Sequence, residues 1–456
     1  MRTGAVSAVA VLERYIDRIQ SANPDINAFT HLNLESARAV ARSIDELVGH
    51  GADPGPLAGV PLGVKDTEDC IGMPTWHGST LYRDRPVARA DSALVARARA
   101  AGAVPVGKTA VPELALHAIT SSPVSGTTRN PWDPALTPGG SSGGSSAAVS
   151  SGMVPLGTAT DAGGSTRSPA AFTGLVGLKP SHGRISQQVA SDLLDVGCVS
   201  LTVRDTARFL DVCSGPHSAD RTALPQADQR YEDLIERLDV RGLRAAWSDD
   251  LGFVPTEPEC IEVARRAAEA LAQAAGLRWI DRRFVIPNPR LAWVAAYVVP
   301  LRAELELDGI WPDRAGEMTQ RARARLSEVD DYRPADLARA ARLRLDVERT
   351  SGAFFEGVDI LFTPTTAVVS LPAEGPIPEE IAGRDARATG PEAHLTLANL
   401  TWQPAISVPA GPSRTGLPIG LQIVGRRGRD DCVLRLARIL EQVNPWPLHA
   451  PAYRSR

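Results

Sequence analysis

Lysine, cysteine and aromatic residues are scarce in this 456-residue chain, and long hydrophobic runs are missing. The five cysteines are scattered without Cys-x-x-Cys spacing, which favours a reduced, cytoplasmic protein over a disulfide scaffold or a zinc site. The longest central apolar run, Leu291 to Leu301, is too short to cross a bilayer. The amino-terminal apolar stretch lacks a signal-peptide cleavage site. We therefore expect a cytoplasmic location and no membrane association.

An excess of charge of either sign is also missing. Lys and Arg total 49 against 53 Asp and Glu, and the resulting net charge of −4 gives no footprint for nucleic acid. The chain is 43% hydrophobic and 22% charged, which is typical of a globular protein and excludes a disordered, collagen-like or coiled-coil chain. We expect no nucleic-acid partner.

Lysine is the scarcest basic residue, and its positions carry information. Only three of the 49 basic residues are lysines, namely Lys65, Lys108 and Lys179. Arginine therefore serves as the general solvated cation, whereas burial can lower the pKa of a lysine until it is a neutral base. Each lysine taken alone is equally consistent with composition bias, but all three lie in the part of the chain with unusual glycine clusters.

Hydrophobic periodicity predicts alternating helices and strands at both ends of the chain and a mostly helical, Arg- and Ala-rich middle. The predicted helices cover Val6 to Gln20, Leu34 to Val48, Asp91 to Ala101 and Cys432 to Val443. The predicted strands cover Val60 to Val64, Ala103 to Val106, Asp359 to Thr363, Ala405 to Val408 and Ile419 to Val424. This alternation predicts an α/β layered fold.

Two catalytic motifs match in their letters but not in their surroundings. Gly102 to Thr109 matches the nucleotide-binding pattern GxxxxGK[ST], but a predicted helix precedes it and Pro112 disfavours the helix that should follow. Gly139 to Gly143 matches GxSxG, the nucleophile elbow of α/β-hydrolases, for which His394 or His449 could supply a base. Three prolines between residues 131 and 138 exclude the strand that an elbow requires. Neither motif supports its usual function here.

Glycine and serine are concentrated between Thr137 and Lys179. One cluster covers Thr137 to Ser146, a second covers Gly157 to Arg167, and an Ala/Val/Ser-rich stretch separates them. A flexible linker is the simplest interpretation of such runs, but linkers are not followed by a small-residue helix and a second glycine cluster. Successive backbone N–H groups in glycine-rich turns can instead converge on an oxyanion.

These segments closely resemble the amidase signature family of serine hydrolases. The similarity covers roughly half of the chain, at Asn23 to Phe29, Gly59 to Asp66, Gly107 to Thr109, Pro112 and Glu113, Arg129 to Pro180, Val203 to Asp205, Asp359 to Pro364 and Asn399 to Gln422. The resemblance implies one domain, an α/β/α sandwich around a large mixed twisted β-sheet. The core signature would occupy residues of about 55–215. A helical, pocket-shaping insert would follow at about 215–357, and residues 358–456 would return to the core sheet.

The catalytic machinery of that family is a Ser-cisSer-Lys triad, and each member has a match in this sequence. Lys65 takes the position of the base. Ser141 takes the bridging position, with a cis peptide bond expected between Gly140 and Ser141. Ser165, 24 residues after Ser141, takes the position of the nucleophile. Chemically, a neutral lysine can draw a proton from a serine hydroxyl, which is otherwise a poor nucleophile.

The same resemblance assigns supporting roles near Ser165. The N–H groups of Ala162, Gly163, Gly164 and Ser165 are expected to form the oxyanion hole. The side chains of Asp161, Arg167 and Ser142 are expected to hold this machinery in place. Neither a metal nor a cofactor is expected.

The activity implied is hydrolysis of a carboxylic amide C–N bond through an acyl-enzyme on Ser165. We predict small, largely apolar or aryl amides as substrates, with aryl carbamates and esters as further candidates. One reason is the aromatic content of the insert and of the late motif. The other is that no recognisable cluster of Arg or Asp indicates an ion-pair site for the head group of glutamine. The candidate pocket aromatics are Trp293, Tyr297, Trp311, Phe354, Phe355 and Trp402. The expected partner is a small-molecule amide, and the expected state is a monomer or homodimer.

Two alternatives stay open. The first is the A subunit of a glutamine-dependent aminoacyl-tRNA amidotransferase, which usually has Asn-Met-Asp-Glu-Phe-Ala where this chain has Thr109 to Leu114. The second is a non-catalytic binding protein on the same scaffold, which the presence of Lys65, Ser141 and Ser165 disfavours.

The sequence also departs from the family pattern. Trp402 replaces a frequent glycine and Cys198 a usual proline, and we expect both to affect the shape of the pocket. Met1 to Gly4 resembles the middle of the family's opening segment, so we expect part of that segment upstream of Met1.

Overall fold

An eleven-stranded mixed sheet runs through the molecule, and helices cover both of its faces. The computed structural model describes residues 5–187 and 191–453, so the expectation about Met1 to Gly4 lies outside the described residues. The helices are α1 Ala8–Ile26, α2 Leu34–Gly49, α3 Ala93–Ala100, α4 Gly143–Ser150, α5 Arg167–Thr173, α6 Val203–Cys213, α7 Tyr231–Arg237, α8 Pro258–Ala275, α9 Arg290–Leu307, α10 Gln320–Ser327, α11 Pro334–Gly357, α12 Thr396–Leu400 and α13 Asp430–Val443.

The strands of this sheet follow the order β1-β3-β2-β6-β8-β7-β14-β15-β11-β9-β10, and two short hairpins, β4–β5 and β12–β13, lie outside it. Their bounds are β1 Phe29–Leu32, β2 Pro61–Lys65, β3 Val104–Thr109, β4 Ser121–Ser122, β5 Gly126–Thr127, β6 Leu156–Asp161, β7 Val176–Lys179, β8 Asp195–Ser200, β9 Arg244–Trp247, β10 Arg278–Trp279, β11 Ile360–Pro364, β12 Glu380–Ile381, β13 Arg384–Asp385, β14 Ala405–Pro412 and β15 Pro418–Gly425.

Side-chain alternation along the buried strands creates two cores, one on each face of the sheet. On β8, Val196 and Cys198 pack into one core with α3, α6, α8 and α13, whereas Val199 packs into the other with α1, α2, α4 and α5. Successive strand residues point to opposite faces, so a central strand must be apolar on both. The α/β/α sandwich predicted from the sequence is confirmed.

The predicted helices and strands are present, with shifted ends. Helix α1 continues past Gln20 to Ile26 and ends at Asn27, which adopts a left-handed conformation (φ 57°). Its apolar face buries Leu12, Ile16 and Ile19, as the periodicity predicts. All five cysteines are buried and free.

The middle of the chain differs from the predicted helical insert in one respect. Residues 215–357 are mostly helical, but they also contribute β9 and β10, which continue the main sheet beyond β11. Helix α8 packs against β11, β14 and β15, so this part of the insert belongs to the core. Only the later part, α9 and α10, leaves the sheet to build a wall beside the cleft described below.

Candidate active site

Two neighbouring parallel strands end at the same edge of the sheet and bring the predicted residues together. Strand β2 ends on Lys65, and strand β6, its parallel neighbour, ends on Asp161. The loop after β6 carries Ser165 and leads into α5, while Ser141 and Ser142 directly precede α4. The carboxyl ends of parallel strands are a usual place for a site in α/β proteins, because loops of separate units converge there.

Lys65 is fully buried, and three hydroxyl groups surround its amine. Its Nζ lies 2.8 Å from Ser141 Oγ, 2.8 Å from Ser142 Oγ and 2.7 Å from Thr160 Oγ1. Burial lowers the pKa of Lys65 to about 7, although the charges of Glu68 and Asp161 partly oppose this. A neutral amine has two N–H donors and one lone pair, so it can donate to two of these hydroxyls and accept from the third.

Ser141 and Ser142 differ in how their hydroxyls are used. Ser142 Oγ donates to the Thr160 carbonyl at 3.4 Å and accepts from the Thr160 N–H at 3.3 Å, in addition to its contact with Lys65. Lys65 is the one partner of Ser141 Oγ among the described residues. Ser141, which follows a cis peptide bond from Gly140, is therefore free to exchange a proton with a further group.

Ser165 lies half-buried at the base of a cleft of about 380 Å³. Its carbonyl accepts a hydrogen bond from the Ser142 N–H at 3.2 Å, which ties the Ser141–Ser142 segment to the loop of Ser165. Trp293, Tyr297 and Leu116 line the cleft on its aromatic and aliphatic side. Ser165 thus borders both the buried lysine–serine cluster and the open cleft.

The carboxylate of Asp161 organises the loop that contains Ser165. It accepts hydrogen bonds from the N–H groups of Gly164 (2.7 Å) and Thr166 (3.2 Å). The Gly164 N–H, which the family resemblance places in an oxyanion hole, is therefore turned towards Asp161. The N–H groups of Ala162, Gly163 and Ser165 donate to no acceptor within residues 5–187 and 191–453.

A buried charge pair supports this loop from below. Arg167, which is fully buried, donates to both carboxylate oxygens of Asp161 at 2.9 and 2.8 Å. Burial alone would raise the pKa of Asp161, but the charge and hydrogen bonds of Arg167 hold it at about 2. Arg167 also donates to Gln422 and Asn399, so each of its three guanidinium nitrogens is hydrogen-bonded.

The other two lysines have different surroundings. Lys108 Nζ donates to the Glu68 carbonyl and to Thr75 Oγ1, and Lys179 Nζ pairs with Asp195 at 2.7 Å. Neither contacts a serine side chain in the described parts of the chain. Of the three lysines, Lys65 is the one placed for proton transfer with Ser141.

Several residues of the site were missed by sequence reasoning. Thr160 contacts Lys65, and Asn399 and Gln422 bind Arg167. The signal for Thr160 was present, since threonine alternates at positions 158 and 160 of a buried strand that ends on an aspartate. Glu392 also lines the cleft and accepts a hydrogen bond from Ser168, and burial raises its pKa to about 7.

The walls of the cleft agree only partly with the predicted aromatic pocket. Of the six candidate aromatics, Trp293 and Tyr297 line it. Trp311, Phe354 and Phe355 belong to buried clusters, and Trp402 stacks on His182. Neither Trp402 nor Cys198 is among the cleft residues, so the effect expected of them on the pocket is not seen.

Charged side chains also face the cleft, although the sequence showed no recognisable ion-pair cluster. Arg290 and Arg325 share Glu328, at 2.6 and 2.7 Å, and all three lie in the wall with Glu392. Among the described residues, no group of three or more His, Cys, Asp or Glu is arranged to hold a metal ion. The helices of the described chain include none that is long and apolar enough to span a membrane.

Comparison with known proteins finds relatives over nearly the whole chain. A family model described as Amidase matches residues 10–434. An acylamidase from Rhodococcus erythropolis is 34% identical over 448 residues, covering 97% of this chain and 93% of its own length. The glutamyl-tRNA(Gln) amidotransferase A subunit from Synechococcus sp. (strain RCC307) is 35% identical over 475 residues, covering 97% of this chain and 95% of its own. The crystal structure of a bacterial aryl acylamidase superposes with a TM-score of 0.92 at 25% identity, covering 100% of this chain and 97% of that one.

Proposed function

The chain belongs to the amidase signature family and is an amidohydrolase, and from that premise we propose that it acts through an acyl-enzyme formed on Ser165. The observation that carries the proposal is the position of Lys65. A fully buried amine with a pKa of about 7 lies 2.8 Å from Ser141, beside the half-buried serine that opens into the cleft. A base with a pKa near neutrality is the kind that proton transfer at neutral pH requires.

The proton moves along a short path in this mechanism. Ser165 Oγ attacks the amide carbonyl carbon and passes its proton to Ser141, while Ser141 passes its own to neutral Lys65. When the tetrahedral intermediate collapses, the C–N bond breaks and the proton returns through Ser141 to the leaving amine. Water then attacks the ester on Ser165 by the same path, releases the carboxylic acid and restores the serine.

Backbone N–H groups stabilise the negative oxygen of both tetrahedral intermediates. Ala162, Gly163 and Ser165 retain N–H groups without described acceptors. Gly164 acts differently from its expected role, because its N–H binds Asp161 and fixes the turn that presents the others. Fixed donors of this kind need no reorganisation when the charge develops, which makes them effective in catalysis.

We assign small amides with an aromatic group as the preferred substrates, and aryl carbamates and esters as further ones. Trp293 and Tyr297 offer flat apolar surface beside Ser165, in a cleft large enough for a compact substrate. The similarity to an acylamidase and to an aryl acylamidase structure supports the same class. An aryl amine is also weakly basic and leaves readily once it is protonated.

The second candidate is a component of a glutamine-dependent amidotransferase. It is favoured by the 35% identity to such a protein and by the charged wall of Arg290, Arg325 and Glu392. Glutamine carries a charged head group that such a wall could bind. The two candidates differ in whether the chain hydrolyses an aryl amide alone or needs companion subunits for glutamine.

Labelling with a fluorophosphonate tests the acyl-enzyme. We expect a single adduct on Ser165 by peptide mass spectrometry, and none in Ser165→Ala. That variant should also lose about four orders of magnitude or more in kcat/KM, because removing a nucleophile disables the whole triad. Ser43→Ala, on the exposed face of α2, serves as the control and should label like the wild type. An adduct on Ser141 or Ser142 would refute the assignment.

A further inference from the structure

One tryptophan of the insert reaches across the cleft to the loop that carries Ser165. Trp293, on α9, donates from its indole Nε1–H to the Ala162 carbonyl at 2.9 Å. The ring packs directly on the glycine that follows, because a Cβ on Gly163 would lie 2.6 Å from Nε1. The indole therefore contacts the peptide between Ala162 and Gly163 from one side.

The geometry of that peptide gives the contact a consequence for catalysis. The Ala162 carbonyl and the Gly163 N–H belong to the same planar trans unit, so they point in opposite directions. A hydrogen bond that holds the carbonyl thus also sets the direction of the N–H. Gly163 lines the cleft together with Ser165, and its N–H has no acceptor among the described residues.

The preceding peptide, between Asp161 and Ala162, is also held by a hydrogen bond to its carbonyl. Asn399 Nδ2 donates to the Asp161 carbonyl at 2.8 Å, which fixes the Ala162 N–H on the opposite side of that unit. Asn399 comes from the late segment that resembles the family, whereas Trp293 comes from the insert. The indole itself is held by Tyr297, at 5.3 Å between ring centroids, and by the guanidinium of Arg325, 5.7 Å from its ring.

We propose that Trp293 is a positioning residue for the oxyanion site, holding the Ala162–Gly163 peptide so that the Gly163 N–H points at the oxygen of the reacting carbonyl. The inference rests on the proposed function and deepens it, because the insert then controls the rate of the chemical step as well as the shape of the cleft. Without the indole N–H, the peptide can turn, and the donor is no longer preorganised when negative charge develops.

Two variants remove the donor while keeping an aromatic ring. Trp293→Phe removes the indole N–H with part of the ring, and site-specific replacement of Trp293 by 3-benzothienylalanine exchanges only the N–H for sulfur. Trp446→Phe is the matched control, because it removes an indole N–H that also donates to a backbone carbonyl, that of Leu201 at 3.3 Å. Trp446 is not among the cleft residues, so this control leaves both the oxyanion loop and the cleft wall untouched.

Kinetics and inhibitor binding distinguish two roles for Trp293: positioning of the oxyanion loop, and contact with the substrate as part of the cleft wall. Loss of an oxyanion donor costs about 10²–10³-fold in kcat, so loss of its anchor should cost roughly tenfold or more. The affinity for a trifluoromethyl ketone, which forms a negatively charged adduct on the serine, should fall by the same factor. KM, and the affinity for the uncharged alcohol analogue, should change by less than about threefold, since the ground state gains little from these donors. The pH at which activity is half-maximal should stay unchanged.

Each other result decides against the inference. If both variants keep the wild-type kcat and ketone affinity, or if Trp446→Phe loses as much, Trp293 does not position the loop. A rise in KM with unchanged kcat would make it a wall of the cleft only. These results leave the proposed function intact, because the wild type remains active. If the wild type neither hydrolyses amides nor labels on Ser165, the proposed function itself fails, and the inference fails with it.

Discussion

At the scale of single residues, the proposed mechanism depends on keeping one amine neutral. Lys65 is surrounded by neutral hydroxyls and by no carboxylate within hydrogen-bond distance among the described residues, so burial dominates its pKa. Lys179 shows the contrast, because its amine lies 2.7 Å from the carboxylate of Asp195. The nearest partners therefore distinguish the two lysines: hydroxyl groups surround Lys65, whereas a carboxylate contacts Lys179.

Removing the amine of Lys65 should affect amides more than esters. In Lys65→Met, which keeps an unbranched side chain of similar length but lacks the amine, we expect amide kcat/KM to fall by about 10³-fold or more, in the range of general acid–base catalysis. Ester hydrolysis should fall less, because an alkoxide or phenoxide leaves with less help from a proton. Parallel assays on an anilide and its matching ester check this, with a thermal melt to confirm folding. Undiminished anilide turnover would contradict the role of Lys65.

The pH dependence of activity should follow Lys65. Only the neutral amine is a base, and its pKa is about 7, so kcat/KM should fall as the pH drops through about 7. Glu392 also has a pKa of about 7 and lines the cleft, so Glu392→Gln is the necessary control. We expect the inflection to persist in that variant, as measured by pH–rate profiles. A flat profile in Glu392→Gln would transfer the inflection to the glutamate.

At the scale of elements, the site depends on how β6 passes into α5. The strand ends on Asp161, whose carboxylate caps the loop by binding the N–H groups of Gly164 and Thr166. Arg167, the first residue of α5, returns to the same carboxylate. Strand end, loop and helix start are thus joined by one buried ion pair, which allows a glycine-rich loop to keep a fixed shape.

Breaking that ion pair should destabilise the protein. Asp161→Asn leaves the guanidinium of Arg167 buried without its charge partner, which costs about 3–5 kcal/mol in comparable cases. Urea denaturation at neutral pH measures this loss. The pKa of Asp161 is lowered to about 2, so its stabilisation is present above the unfolded pKa of about 4 and disappears as the pH falls towards 2. The difference between variant and wild type should shrink over that range, and an equal difference at every pH would refute this account.

At the scale of the whole molecule, the cleft is the place where distant parts of the chain meet. The loop between β6 and α5 supplies Ser165 and Gly163. The insert supplies Trp293 and Arg325, and the part of the chain after the insert supplies Glu392. In the proposed mechanism, the first part breaks the bond and the other two select the substrate. Relatives with one fold can therefore differ in substrate while they share the reaction.

The isolated chain should be active without companions. We expect the purified protein to hydrolyse an acetanilide or an aryl carbamate with a higher kcat/KM than glutamine or short aliphatic amides, because Trp293 and Tyr297 face the cleft. Steady-state kinetics of the single chain measures this preference. A clear preference for glutamine, or turnover only after companion proteins are added, would favour the amidotransferase instead.

The sequence by itself determined the family, the layered fold and the candidate catalytic residues. Lys65, Ser141 and Ser165 could be named because each stands in a short motif that matches the amidase signature. In such segments the local chain sets the conformation, so spacing along the sequence carries over into three dimensions. Short apolar runs predicted the strands for the same reason.

Only the tertiary structure decided which residues complete the site. Trp293 meets Ala162 across 131 residues of chain, and Asn399 meets Asp161 across 238. No local pattern marks such contacts, because they depend on how α9 and α12 pack against the end of the sheet. The same packing turned the Gly164 N–H towards Asp161 and added β9 and β10 to the sheet. It also buried three of the six aromatic residues predicted for the pocket, Trp311, Phe354 and Phe355. Short motifs identify the candidate catalytic residues, whereas the shape of the cleft results from long-range packing.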